Sequence, residues 1–304
     1  MRIPSSKAHL APMAGITDIA FRELCCEHKA GLTVSELVSV YGIIQNQEKS
    51  FNLLQSSTKE KFFCAQLFGS KPDLFAKVAE KINVKCIDIN AGCPVSKVNA
   101  DGAGASLMKD KKNIQKIISK ISNVTNQPVS IKLRLGITTN IVLPIAKACE
   151  DAGAHHITIH GRTKQQAYTG KANWKPIQEC ANELSIPVIG NGDIKSYKDI
   201  QARLKNSVIH SVMVGRAASG NPFLFKNIYN KEDTQPTNKE RLTTFTKYLK
   251  KAQDYNIHFT HQVLQAQHFT KGIPQATVFR SQLFKTKTSD DLQHAVAQFL
   301  EGQE

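Results

Sequence analysis

The sequence predicts an α/β fold: a (β/α)8 TIM barrel followed by a small C-terminal helical domain. Three observations carry this: eight short apolar runs, amphipathic helical stretches between them, and polar residues gathered at the runs' C-terminal ends. The 304 residues suit a barrel of about 250 residues plus an appendage. Strands are expected at Ala8–Ala11, Leu32–Glu36, Phe62–Leu67, Cys86–Asn90, Val129–Arg134, His156–His160, Ile186–Gly190 and Ser211–Gly215. Between them Leu74, Phe75, Val78 and Ile82 share one helical face, as do Ile114, Ile117, Ile118 and Ile121. A doubly wound sheet also alternates strand and helix, and the count of eight is what favours closure.

The barrel is expected over residues 1–229. Residues 230–240 are polar, carry a proline and lack apolar periodicity, so they read as a linker. Helical spacing returns at Leu242, Phe245 and Leu249 and again at Leu292, Ala295, Val296 and Phe299, giving a helical domain over 241–304.

Lys and Arg outnumber Asp and Glu by 40 to 25, a formal charge of +15. Such a field attracts polyanions and makes nucleic acid the first partner to consider, a merely basic soluble protein being the alternative. The seven cysteines are odd in number and include no C-x-x-C pair, which argues against a disulfide framework or a zinc site and for a reducing cytoplasm. No secretory signal, membrane-length apolar run, Rossmann G-x-G-x-x-G or Walker A sequence is present.

Side chains alternate along a strand, so polar residues at period two inside an apolar run face one side. Cys86, Asp88 and Asn90 are expected inside the barrel, as are Ser130, Lys132 and Arg134, and His156, Thr158 and His160. Barrel interiors are ordinarily filled with branched apolar residues. Asp88, Ser130 and Thr158 fit a satisfied buried polar layer, whereas Asn90, Lys132 and His160 together mark an active-site mouth, since such groups are costly to bury unpaired. The last two strands end in Gly190-Asn191-Gly192-Asp193 and Gly215-Arg216, where barrels commonly hold a phosphate on backbone N–H groups. Arg216 adds a charge for that phosphate. Cys93 lies between Gly92 and Pro94 just past the fourth strand. A buried structural role is the usual reading of a lone cysteine. In a loop at the mouth a protonated thiol can instead act as a general acid.

These segments resemble the tRNA-dihydrouridine synthases, FMN enzymes that reduce uridine in tRNA. The resemblance runs through LAPMAGITDIAFR (10–22), QLFGS (66–70), DINAGCPVSKV (88–98), residues 102–107, KLRLG (132–136), HGRT with Tyr168 and Gly170, IPVIGNGDI (186–194) and GRAASGNPFLF (215–225). It implies that Pro12, Met13 and Ala14 line the flavin ring and that Gln66, Lys132 and His160 hydrogen-bond it. It implies further that Asn191, Gly192, Asp193, Gly215 and Arg216 hold its ribityl phosphate, that Cys93 is the proton donor, and that Asn90 and Arg134 approach the target uridine. NADPH would be the reductant; no metal, membrane or obligate protein partner is implied. Hydride addition at C6 of uracil leaves an enolate that needs a proton at C5, which suits a thiol. The C-terminal region departs from the family's Arg-Lys-His run, reading LQAQHFTK over 264–271. Rival readings are an FMN barrel acting on a small pyrimidine, an aldolase-like barrel with Lys132 as Schiff base, and a tRNA-binding protein without activity. Every implied flavin contact precedes Asn230, so a chain ended there is expected to keep some flavin and lose tRNA affinity.

Overall fold

In the computed structural model, which describes residues 3–4, 6–283 and 285–302, the period-two runs form parallel strands. These are β1 (Ala8–Leu10), β2 (Thr33–Val34), β3 (Val38–Ser39), β4 (Phe63–Phe68), β5 (Ile87–Ala91), β6 (Val129–Arg134), β7 (His156–His160), β8 (Val188–Asn191) and β9 (Ser211–Val214). Neighbours run β1-β9-β8-β7-β6-β5-β4-β2. The circle closes where Leu10 N donates to Leu32 O at 2.8 Å and Gly31 N donates to Ala8 O at 2.9 Å. The fold is a (β/α)8 barrel.

The expected run Leu32–Glu36 is shorter as a strand, and β3 is an added short strand paired with β4. The cause is Ser35, whose Oγ accepts from Gln66 N at 2.8 Å and donates to Glu36 O at 2.8 Å. A side chain there replaces a ladder carbonyl and ends the strand. Ile87 and Ile89 are fully buried against the helices, as alternation requires. Helix Lys111–Val124 likewise buries Ile114, Ile117, Ile118 and Ile121. His156 opens β7 and so lies at the end of the barrel opposite the mouth; burial, then the neighbouring His155, push its pKa down to about 3.

The polar stretch after the barrel is shorter than the predicted linker. Helix Phe223–Asn230 ends at Lys231 in the left-handed region, φ 63°, and helix Asn238–Asp254 already starts behind a Thr237–Glu240 capping box. The tail is not a detached appendage. Phe269, in helix Phe259–Phe269, meets Phe21 edge-on at 6.2 Å and stacks on Phe245 at 5.2 Å. Tyr248 Oη donates to Asp18 Oδ2 at 2.9 Å, Tyr255 Oη to Glu23 at 2.6 Å, and Gln265 Nε2 to Ile16 O at 2.6 Å. Burial, outweighing the Phe21 amide and the Tyr248 hydroxyl, pushes Asp18 up to about 7. Gly220, φ +65°, lets the barrel's last turn touch the tail: a Cβ there would sit 2.3 Å from His268 C.

A buried ion pair holds the first helix, Ile19–Glu27. Arg22 Nε meets Glu60 Oε1 at 2.8 Å, with side chains 2% and 0% exposed. Its Nη1 and Nη2 donate to Thr17 O at 2.9 Å and Gln55 O at 2.6 Å, and Glu60 also accepts from Thr33 Oγ1 at 2.7 Å. Because every partner is satisfied, removing one charge strands the other. Glu60→Gln is expected to lower unfolding stability by about 3–5 kcal/mol, read by urea denaturation. A loss below ~1 kcal/mol would mean the pair is dispensable.

Candidate active site

The strands bring the expected inward groups together. Gln66, Asp88 and Asn90 are 0%, 3% and 6% exposed, and their side chains form a chain of hydrogen bonds. Gln66 Nε2 donates to Asp88 Oδ2 at 2.6 Å, and Asn90 Nδ2 donates to Gln66 Oε1 at 2.8 Å. Asn90 Oδ1 accepts from the amides of Gly92 at 3.3 Å and Cys93 at 3.0 Å. Ser130 Oγ donates to the other Asp88 oxygen at 2.6 Å. Burial raises the pKa of Asp88, while the Gln66 and Ser130 bonds and the Lys132 charge act against it.

Cys93 is half-buried in the loop after β5. Its carbonyl accepts from Asn99 Nδ2 at 2.7 Å and from Ala105 N at 3.1 Å. The glycine-rich turn at Gly102–Gly104 is thus a buttress: a Cβ on Gly104 would lie 3.1 Å from Cys93 O. Lys132 Nζ donates to Asn191 Oδ1 at 3.2 Å, and Asn191 Nδ2 to Met213 O at 2.7 Å. Burial and then the Arg134 charge push the Lys132 ammonium down to about 8. Burial, then the surrounding cations from Lys132 onward, push His160 down to about 2, so at neutral pH it is an uncharged imidazole.

Arg134 is mostly committed to architecture. Its Nε donates to Gly92 O at 2.7 Å, and its Nη1 donates to Thr163 O at 2.9 Å and Ala167 O at 2.8 Å. Nη2 has no hydrogen bond among the described residues. Asp193 is also occupied: its carboxylate accepts from Arg162 Nη2 at 2.8 and 2.9 Å and from Ala172 N at 2.7 Å. Burial acts to raise its pKa, but the Ala172 amide and Arg162 together bring it below the usual carboxylate range. What residues 192–193 offer is therefore backbone, at φ +126° and +54°. Arg216 is 58% exposed and lies 3.8 Å from Asp193 and 4.6 Å over the Tyr168 ring.

The loop after β1 meets these turns. Pro12 and Met13 are half-buried and Ala14 exposed. Thr17 Oγ1 accepts from Met13 N at 2.9 Å, and Glu36 Oε2 accepts from Gly15 N at 2.6 Å. A Cβ on Gly215 would touch Ala11 Cβ at 3.7 Å and Met13 Sδ at 3.8 Å, while one on Gly192 would reach Ala172 Cβ at 2.7 Å and His160 Cδ2 at 3.1 Å. Sequence reasoning assigned no role to Arg162 or Asn99, which carry the loops. Arg162 was marked only by membership of the HGRT stretch, and Asn99 lies one residue past DINAGCPVSKV (88–98).

A family model described as Dihydrouridine synthase (Dus) matches residues 9–303. The chain belongs to the dihydrouridine synthase family. A relative described as a probable tRNA-dihydrouridine synthase, from Rickettsia conorii, is 34% identical over 91% of this chain and 88% of its own. The tRNA-dihydrouridine synthase B of Pasteurella multocida is 39% identical over 74% of this chain and 71% of its own. Among solved structures, histamine dehydrogenase from Rhizobium sp. 4-9 superposes with a TM-score of 0.59 at 12% identity, over 83% of this chain. The chain spans about half of that protein, 50%, and the likeness is one of fold. As a dihydrouridine synthase this chain is an enzyme, and the polar mouth is its candidate active site. No helix among the described residues is long and apolar enough to cross a membrane.

Proposed function

We propose that this chain reduces a D-loop uridine of tRNA to 5,6-dihydrouridine, with FMN as cofactor, NADPH as reductant and Cys93 as proton donor. The observation that carries the reading is the Cys93 loop, which five hydrogen bonds and the Gly104 contact hold at the mouth, beside strands bearing Lys132 and Gln66. The pocket chemistry fits FMN. Glycines stand where a side chain would collide, at 192, and where the chain lies against Ala11 and Met13, at 215; the exposed Arg216 guanidinium suits a phosphate. Gln66, Lys132 and the neutral His160 would meet the polar edge of the ring, and Met13 with Pro12 and Ala14 its face. Asn191 would orient Lys132, and Asp193 with Gly192 and Gly215 would serve through backbone N–H groups.

When bound, FMN supplies the hydride that adds at C6 of the uracil C5=C6 bond. Cys93 Sγ–H gives its proton at C5. Lys132 adds positive charge where anionic charge develops. Asn90 Nδ2 and Arg134 Nη2 each keep an N–H for a carbonyl oxygen of the base. Extrusion of that base from the folded tRNA precedes these steps.

The purified protein is expected to be yellow and to release FMN on denaturation, identified by chromatography. Transfer RNA from cells lacking the chain is expected to lose dihydrouridine at one D-loop position. A colourless preparation that takes up no added FMN would overturn the reading.

A further inference from the structure

Asp88 is buried at the inner end of the hydrogen-bond chain, and the reaction above gives it no task. The direction of every bond in that chain is determined by its two ends. At the outer end stand the backbone amides of Gly92 and Cys93, which only donate. They require Asn90 to present Oδ1 to the loop and hence Nδ2 to Gln66. Gln66 must then present Oε1 to Asn90 and Nε2 inward, where it needs an acceptor. An ionised carboxylate is acceptor-only, and Asp88 supplies one oxygen to Gln66 and the other to Ser130.

We propose that Asp88 is a positioning residue that, through Gln66 and Asn90, fixes the Cys93 loop and leaves each of the two carboxamides with an uncommitted N–H for carbonyl-type acceptors. Asn90, 6% exposed, then presents a donor rather than an acceptor at the mouth, and the fully buried Gln66 keeps its spare N–H just beneath it. Such a surface suits a ligand that displays carbonyl oxygens, and it disfavours one that displays amino groups at the same places. The inference about the loop rests on hydrogen bonds alone; its bearing on catalysis rests on Cys93 as proton donor.

The test uses holoenzyme and two readouts. One is the rate at which iodoacetamide labels Cys93, followed by peptide mass mapping. Cys26 serves as the internal reference for overall folding, since it too is half-buried but burial pushes its thiol up to about 12. The other readout is single-turnover uridine reduction. Asp88→Asn alone is expected to stay within about threefold of wild type, because the Ser130 hydroxyl can turn from donating to accepting and keep the Asn oxygen toward Gln66. Ser130→Ala alone is expected to do the same, since Asp88 still accepts. The double variant has no partner for the new amide group, so residue 88 can flip its N–H onto Gln66. It is expected to label Cys93 at least ~10-fold faster and to lose uridine reduction by a similar factor, far beyond the product of the single effects. Labelling and turnover of the double variant that equal the product of the single effects would overturn the proposal. So would faster labelling of Cys26 in parallel, which would report general loosening. If wild type itself fails to reduce uridine, the functional reading fails, and labelling still decides the loop.

Discussion

Cys93→Ala is expected to keep FMN and NADPH oxidation while losing uridine reduction by about 10²–10⁴-fold, the usual worth of a general acid. The separation follows from where the residue sits. Its side chain is half-exposed at the mouth, whereas the loop is held through its backbone N–H and C=O, which alanine retains. Loop geometry should therefore survive the substitution, and the proposed cofactor contacts on β4, β6, β7 and β8 are not touched. The measurement is single-turnover conversion of unmodified tRNA by prereduced enzyme. Near-wild-type conversion would make the thiol structural. Cys93→Ser is a useful companion, since a hydroxyl keeps the size but is a far weaker acid.

A chain ended near Asn230 is expected not to fold into a barrel that holds flavin. This reverses what the sequence suggests, and the reason is the interface. Removing the tail exposes the Phe21 ring, which packs edge-on to Phe269, and leaves Asp18 buried beside Glu36 without the Tyr248 hydroxyl. Ile16 O loses the Gln265 amide, and Gly15 loses the Leu264 methyl 3.3 Å from its Cβ position. Both lie in the loop expected to line the flavin. Aromatic burial is worth several kcal/mol per ring, comparable to the net stability of a whole domain. The expected outcome is insoluble or dye-binding protein without yellow colour. A soluble truncated chain that melts cooperatively and keeps FMN would sink the prediction, and tRNA affinity would then be open to the salt-slope test of a docking tail. Phe269→Ala in the full chain is a milder probe, expected to cost about 3–5 kcal/mol.

Alternation made the barrel legible. Val129–Arg134 and His156–His160 form strands with the predicted bounds, because both are continuous apolar and polar alternations without a competing side chain. The second strand was less legible because a single serine hydroxyl at position 35 takes over a ladder bond. Such substitutions of side chain for backbone leave no periodic trace. The inward set Asp88, Asn90, Lys132 and His160 followed from period two, yet which of these groups touch one another depends on register between strands. Gln66 opposite Asp88, and Asn90 opposite Lys132, are facts of pairing. The tail's attachment was illegible for the same reason: Phe21 and Phe269 each show only that some apolar partner is needed. Asp193 shows another limit. The partner of its carboxylate, Arg162, lies 31 residues earlier, and nothing in the glycine turn announces that pair.

The bonds of Arg134 bear on how a mutational scan of this enzyme is to be understood. One guanidinium ties the carbonyl of Gly92, next to the thiol, to the carbonyls of Thr163 and Ala167 in the segment that carries Tyr168. An inactive Arg134→Ala protein would not by itself identify a contact to the base, since both loops are released at once. Lysine keeps the positive charge but has no planar fork, so it cannot span the same three carbonyls in that geometry. Loss of activity in Arg134→Lys would thus report a broken brace as readily as a missing ligand contact. Only a variant that spares Nε and Nη1 while silencing Nη2 would separate them. Genetically encoded arginine analogues with one terminal nitrogen replaced offer that discrimination, where the twenty standard residues do not.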